Sequence, residues 1–423
     1  MINQKTYKSG LRLVVETNDN PICSFTQKTI VGSSDETFEE EGLAHFTEHL
    51  MFKSTEKRTS LELNSDMERL GVLTNAYTTK RETVYYFVAT EDNFTDALEI
   101  FSDMLQNGIY AESDVNTERG VVVQEINMYD DDSDAVLEDA IDSVYFSGTG
   151  YEHPVLGRRE LIENTTIDAL KAFKSKHYTP DKIILSIVSG LSFEAVEGLI
   201  KKYFPKYFEG ERIPYDRPKD LMQITIKKPY FVVDKDDTQV RVNAMIKAVD
   251  VNDKYYLPQM LYSVILGGGM SSRLFTNIRD RLGLVYSIGS TARSYKQFAF
   301  LGVSLGTTKE HLNLALTEID KEFNHLADNG ITEDELIKAK NLVKNIRVFG
   351  NEKVSSKCLF NAKIMADEVT YPDYKDYKKA IDSVTVEQVN EYAKLINEQK
   401  DFTICAIGKD VTEDELKGFR GRF

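Results

Sequence analysis

Apolar residues recur along this chain with two different periods. In Asn93–Gly108 (NFTDALEIFSDMLQNG) they return every three to four positions, the spacing of one helix face, and the run stops at a Gly-Ile pair. His311–Gly330 (HLNLALTEIDKEFNHLADNG) behaves the same way and also stops at Gly-Ile. A third helix is predicted over Ser113–Tyr129, where Val115, Val122 and Ile126 share one stripe. Short β-branched and aromatic runs predict strands at Leu11–Glu16, Ile22–Val31, Val84–Ala89, Ile183–Gly190, Tyr230–Val233, Arg241–Ile246 and Phe402–Gly408. These strands come in adjacent pairs among long helices. The expected class is therefore α+β, with mostly antiparallel sheets layered with helices and no strict βα alternation.

The pattern occurs twice. Ile162–Ile167 leads a helix carrying Leu170 and Phe173, and Ile381–Val386 leads one carrying Val389 and Tyr392. Counterpart segments are displaced by 218 to 222 positions, a nearly constant offset. Two homologous domains are expected, residues 1–210 and 223–423, joined by an extended linker at 211–222. The surrounding stretch, Pro205–Met222, has three prolines and little periodicity.

Composition narrows the choice of partners. A formal charge of −16 argues against nucleic acid and suits solubility or cationic substrates. Cys23, Cys358 and Cys405 are scattered, which indicates neither a disulfide framework nor a cysteine zinc site. Buried thiols in a reducing compartment are expected instead. Residues 1–10 are polar, without the apolar core of a signal peptide, and no apolar run approaches a membrane span of about 18 residues. The expected location is cytoplasmic, with no membrane contact.

The chemistry concentrates in His45-Phe46-Thr47-Glu48-His49, an H-x-x-E-H pattern. On a helix, His45 and His49 lie one turn apart on a common face, where two imidazoles can share a divalent ion. Glu48 stands beside them as a base for water at that ion. The same spacing is the inverted motif of zinc peptidases. Two histidines and a glutamate on a solvated helix face would give the same pattern. Leu43, Ala44, Phe46, Leu50, Met51 and Phe52 speak for a largely buried helix, and buried histidines beside a carboxylate need partners. The chain has six histidines, so two of them fall within this one turn.

A catalytic zinc ion usually takes three protein ligands and keeps one position open. Glu118 and Glu125 are seven residues apart, two helical turns, and so share a face. Glu125 follows Val121-Val122-Val123-Gln124, an apolar setting in which an unpaired carboxylate is costly. It is the expected third ligand, with Glu118 holding a histidine or Glu125 in orientation. An exposed acidic face fits the periodicity equally well.

Taken together these residues resemble the pitrilysin, insulin-degrading-enzyme and mitochondrial-processing-peptidase family. Glu125 follows His49 by 76 positions, and Glu118–Ile126 (ERGVVVQEI) is similar to the second ligand helix of that family. Asn75-Ala76-Tyr77-Thr78 with Thr83-Val84-Tyr85-Tyr86 resembles its active-site strand and hairpin. His153-Pro154, Leu156-Gly157-Arg158 and His177-Tyr178 before Pro180 also fit. One departure stands out. Where the family commonly has Glu two positions before the hairpin Thr, this chain has Arg81, with Glu82 beside it.

The second half has no H-x-x-E-H in Leu257–Gly269, and hand alignment sets Ala339 against Glu118 and Ile346 against Glu125. It cannot build the same metal site. Gly267-Gly268-Gly269 reads as a tight helix terminus, since no G-K-S/T follows. Arg279 and Tyr286, seven apart, resemble the family's R-x-x-x-x-x-x-Y pair, which implies donors to the peptide carbonyl and developing oxyanion.

The expected function is that of a zinc-dependent endopeptidase acting on peptides or short unfolded polypeptides, with one Zn²⁺ per chain on His45, His49 and Glu125. Glu48 is its general base. Asn75 and Ala76 are expected to pair with an extended substrate backbone. Family members of double length close four such domains around their substrate. For this two-domain chain the resemblance implies an enclosing homodimer, or a heterodimer with an inactive homologue. A non-catalytic or chaperone-like subunit is the alternative, but such a chain would lack one of the four residues of the metal set.

Overall fold

The computed structural model describes residues 2–211, 224, 226 and 228–420. All but the first residue of the expected linker at 211–222 lies outside these described residues. The chain forms two compact units that interleave in sequence. One comprises Met1–Asn127, His153–Arg217 and Val348–Val369; the other comprises Met128–Glu152, Pro218–Arg347 and Thr370–Phe423.

The first unit is built on strands β1 (Ile2–Thr6), β2 (Arg12–Thr17), β3 (Ile22–Thr29), β4 (Leu73–Thr78), β5 (Thr83–Thr90) and β6 (Ile183–Ser189). Their order is β1-β2-β6-β3-β5-β4, and only the β2–β6 pair is parallel. Alternation sorts the side chains of β3 onto two faces. Cys23 and Phe25 point into a core with Phe87, Leu185 and Ile187, covered by Phe94, Leu98 and Phe101 of the Glu91–Asn107 helix. Ser24, Thr26 and Lys28 take the opposite face and are just as buried. That face lies under the Val354–Met365 helix, which comes from the second half of the sequence. Its Cys358 Sγ donates to the Ser186 carbonyl at 3.0 Å, and Asn361 Nδ2 donates to Glu16 Oε2 at 2.8 Å. The polar residues of β3 are explained by this cover.

The second unit repeats the plan with β7 (Tyr230–Asp234), β8 (Val240–Lys247), β9 (Val285–Ser294), β10 (Ala299–Thr307) and β11 (Phe402–Gly408). Their order is β7-β11-β8-β10-β9, with β7–β11 the parallel pair. From β2 onward the first sheet has the same connectivity, strand for strand. One face packs Val242, Ile246, Leu301 and Ile404 against helices Tyr256–Gly267, Lys309–Asn329 and Val386–Glu398. The other receives Leu137 and Ile141 of the Ser133–Tyr145 helix, which comes from the first half of the sequence. Each unit therefore borrows one helix from the opposite half of the chain. The α+β class with two mostly antiparallel sheets holds. Among the described residues no helix is long and apolar enough to cross a membrane.

Candidate metal centre

The helix that carries the motif runs Leu43–Met51 and buries Leu43, Ala44, Phe46, Leu50 and Met51 along with His45, Thr47 and Glu48. Its entry is fixed by two glycines. Gly42 adopts φ +86°, and a Cβ there would come within 2.6 Å of the Leu156 carbonyl. Gly157, at φ +74°, faces it just as tightly, with a Cβ reaching 2.5 Å from the Gly42 Cα. Both positions need glycine twice over, for the left-handed backbone and for the close approach. The unpaired amides at the helix N-terminus go to Glu36, whose carboxylate accepts from Gly42 at 2.9 Å and Ala44 at 2.7 Å. Of the acidic residues just before the helix, Glu41 meets Arg158 at 2.6 Å and Glu40 meets Lys176 at 2.9 Å. Burial raises the Glu36 pKa well above the usual range, although its two amide donors pull the other way.

His45 and His49 converge as their spacing requires. Their Nε2 atoms are 3.3 Å apart. Glu125 reaches the same point from the Glu112–Asp131 helix, its Oε2 3.7 Å from His45 Nε2 and 3.4 Å from His49 Nε2. Donors about 2.0–2.2 Å from a tetrahedral zinc ion stand roughly 3.3–3.6 Å from one another. The triangle has that size and chemistry, two imidazoles and a carboxylate, so the residues fit the metal. Glu125 retains 27% side-chain exposure, and Val121 ahead of it is 45% exposed. Its setting is less apolar than the valine run suggests. Glu118 is the buried carboxylate of the pair.

Glu118 is engaged on both sides. Its Oε2 accepts from His49 Nδ1 at 3.0 Å and its Oε1 pairs with Lys53 Nζ at 2.5 Å. Burial would raise its pKa, but these two partners outweigh it and the net shift is downward. Bonded through Nδ1, His49 presents Nε2 to the common point. Glu48 is buried, and the Thr78 hydroxyl at the end of β4 donates to its Oε2 at 2.5 Å. Its pKa is raised, mainly by burial, with Thr78 opposing.

The protons of the ligand set are already polarised. His45 is held down to about 4, first by burial and then by the charge of His49. Burial also acts to lower His49, but hydrogen bonds to Glu118 and Glu125 win and raise it to about 9. Glu125 is lowered, chiefly by its hydrogen bond to His49. A divalent cation at this point would compete with the His49 proton for the same nitrogen.

The other predicted residues fall as follows. Asn75 and Ala76 lie on β4, the edge strand, paired only with β5 among the described residues. Asn75 Oδ1 accepts from the Ala76 amide at 2.8 Å. Arg279 and Tyr286 belong to the second unit. Arg279 packs its guanidinium 4.5 Å from the Phe275 ring within the helical segment Phe275–Arg281, and Tyr286, near the start of β9, is 57% exposed. Glu82, beside the departing Arg81, is buried and occupied by Lys28 and by the Tyr77 hydroxyl at 3.3 Å. Sequence reasoning gave no role to Thr78, Lys53 or Glu36. Lys53 carried a signal, since it follows His49 by four residues, although the helix ends at Met51 before reaching it. Glu36 carried none.

Comparison with known proteins agrees with this geometry. Residues 12–159 match the family described as insulinase (peptidase family M16), and residues 164–343 match the peptidase M16 inactive domain. The uncharacterized zinc protease YmxG of Bacillus subtilis (strain 168) is 28% identical over 94% of this chain and 96% of its own length. An uncharacterized zinc protease of Rickettsia bellii (strain RML369-C) is 30% identical over 77% of this chain and 78% of its own. The crystal structure of a protease from Helicobacter pylori shares the fold with a TM-score of 0.85 at 24% identity, covering 96% of this chain and 99% of that one. The structure titled peptidase M16 inactive domain from Pseudomonas fluorescens does so with 0.86 at 18% identity, covering 97% and 99%. A duplicated α+β fold with an H-x-x-E-H helix in its first unit, in a chain that resembles bacterial zinc proteases over most of its length, belongs to the peptidase M16 (insulinase) family.

Proposed function

We propose that this chain is a zinc-dependent endopeptidase that cleaves peptides and short unfolded polypeptides. The reading rests above all on the triangle of His45, His49 and Glu125 beside a buried, hydroxyl-anchored Glu48. Zinc held by these three residues supplies acidification of water and polarisation of the scissile carbonyl. Glu48 takes the water proton and later returns it to the leaving amine. Thr78 ties down Oε2, which leaves Oε1 to carry that proton. Burial raises the Glu48 pKa and so favours its protonated form, in the direction that a base which must become an acid requires. Glu118 keeps His49 in one tautomer and orientation. The free side of β4 at Asn75 and Ala76 accepts an extended peptide backbone as an added strand. Arg279 and Tyr286 are assigned as donors to the substrate carbonyl, provided across a homodimer that encloses the substrate in a chamber.

Glu48→Gln tests the core of this reading. It is expected to retain zinc by elemental analysis while peptide cleavage falls by about 10²–10⁴-fold, the usual worth of a general base. Near-normal turnover would remove Glu48 from the reaction. Mixing Glu48→Gln with Arg279→Ala chains tests the assembly. Restored activity after subunit exchange supports donation across the dimer, and exchange without recovery refutes it.

A further inference from the structure

Three donors meet at one point only if the two helices that carry them are held in register, and the turn after the motif is where they are joined. The Leu43–Met51 helix closes with the Phe52 amide donating to the His49 carbonyl at 3.3 Å and the Lys53 amide to the Leu50 carbonyl at 3.2 Å. The next contacts are with the Glu112–Asp131 helix. The Ser54 amide donates to Asp114 Oδ2 at 3.1 Å, and Lys53 Nζ pairs with Glu118 Oε1 at 2.5 Å. Asp114, Glu118 and Glu125 are spaced by four and then seven residues, so they line one face of that helix. Along this face Asp114 takes the Ser54 amide, Glu118 takes Lys53 and His49, and Glu125 meets both imidazoles. Ser54 is fixed from its other side too, its carbonyl accepting from the Ile109 amide at 3.1 Å.

The two histidines are supported unequally. His45 Nδ1 is buried without a hydrogen-bond partner among the described residues, whereas Glu118 Oε2 holds His49 Nδ1 at 3.0 Å. The aim of His49 Nε2 thus depends on Glu118, and the aim of Glu118 on what holds its other oxygen. With a side chain only 7% exposed, Glu118 has little water to replace a lost partner. Lys53 is that partner. An ammonium cannot ligate a metal ion and repels it directly, so any gain in affinity from Lys53 has to pass through Glu118.

On the reading that this centre holds zinc, we infer that Lys53 is a positioning residue of the metal centre. It fixes Glu118 Oε1, keeps Oε2 on His49 Nδ1, and so keeps Nε2 turned toward the ion.

Chelator competition on the metal-free protein measures zinc affinity and tests this role. Lys53→Met is expected to bind zinc about tenfold more weakly, as loss of an outer hydrogen-bond partner does. Lys53→Arg keeps a charged donor and should recover part of that loss. In a Glu118→Ala background Lys53→Met should cost nothing further, since a residue that acts through another is silent once the other is gone. Peptide cleavage by Lys53→Met should be low at limiting zinc and return when zinc saturates the site. Unchanged or tighter zinc binding in Lys53→Met would overturn the role, and so would an equal loss in the Glu118→Ala background. Cleavage that stays low at full zinc occupancy would move Lys53 into the reaction or the fold and also overturn it. If the unaltered chain binds no zinc, the metal reading fails and the role of Lys53 with it. If the unaltered chain binds zinc and Lys53→Met matches it, only the role of Lys53 fails.

Discussion

The two units use one scaffold for opposite ends. Both have the same strand connectivity beyond β1, and in both a helix after the second strand is followed further along the chain by a long helix. In the first unit that pair is Leu43–Met51 with Glu112–Asp131; in the second it is Tyr256–Gly267 with Glu333–Phe349. The first buries His45, Thr47 and Glu48 among its apolar residues, whereas the second buries Leu257, Leu261, Tyr262, Ile265 and Leu266 with only the uncharged Gln259 and Ser263 as polar company. Burial follows the position, not the residue. Glu118 and its counterpart Ala339 are both buried, while Glu125 is partly open and its counterpart Ile346 is 58% exposed. The fold sets how deep each position lies, and the residue placed there decides whether the site carries chemistry or packing. Buried polar groups normally cost stability, so the first unit gives some up at this helix, and a bound metal ion would restore it by mass action.

Breaking the ligand set is expected to have the largest effect. Glu125→Ala should lose most of its zinc by elemental analysis, and peptide cleavage with it. Glu118→Ala should weaken metal affinity about 10- to 100-fold, because His49 loses its orienting partner but remains a ligand. Full zinc occupancy in Glu125→Ala would move the third ligand elsewhere.

Proton competition follows from the same cluster. His49, raised to about 9, must release its proton before its nitrogen accepts a metal ion. Zinc affinity should therefore rise roughly tenfold per pH unit between pH 6 and 8, measured by chelator competition. The sign for the metal-free protein is the reverse. A folded pKa above the unfolded value of about 6.5 gives stability that is complete below that value and lost as pH rises through about 9. A zinc affinity that does not change with pH would show that His49 is already neutral without metal.

Transplanting the acidic residues tests the comparison from the other side. Ala339→Glu places an unpaired charge in a buried position and should cost about 3 kcal/mol in urea unfolding. Ile346→Glu, at an exposed position, should stay within about 0.5 kcal/mol. Neither should add a second zinc per chain, since the helix Tyr256–Gly267 has no histidine.

Thr78 tests the first unit alone. Thr78→Val removes a hydrogen bond to a carboxylate, worth about 1.5–3 kcal/mol, and should lower kcat at least about tenfold. Because the hydroxyl lowers the Glu48 pKa, its loss should also move the acid limb of the pH–rate profile upward. A reduced kcat with an unmoved acid limb would reassign Thr78 to packing alone.

Local periodicity carried much of this molecule. Helices predicted at Asn93–Gly108 and His311–Gly330 are found at Glu91–Asn107 and Lys309–Asn329, and the repeat offset identified the duplicated plan. The pairing of His45 with His49 was legible because a helix brings residues four apart onto one face. So was the convergence of Glu125, although its partly open setting was not. What remained hidden depends on contacts between distant parts of the chain. The exchange of helices Ser133–Tyr145 and Val354–Met365 between the units leaves no trace in either helix, and it alone explains why Ser24, Thr26 and Lys28 are buried. Glu36 as the cap of the ligand helix, Thr78 as the anchor of Glu48 and Asp114 as the acceptor of the Ser54 amide are likewise products of packing. Periodicity reports which face of an element is apolar. What that face meets, and so the charge, burial and hydrogen bonding of each side chain, is decided only when the elements come together.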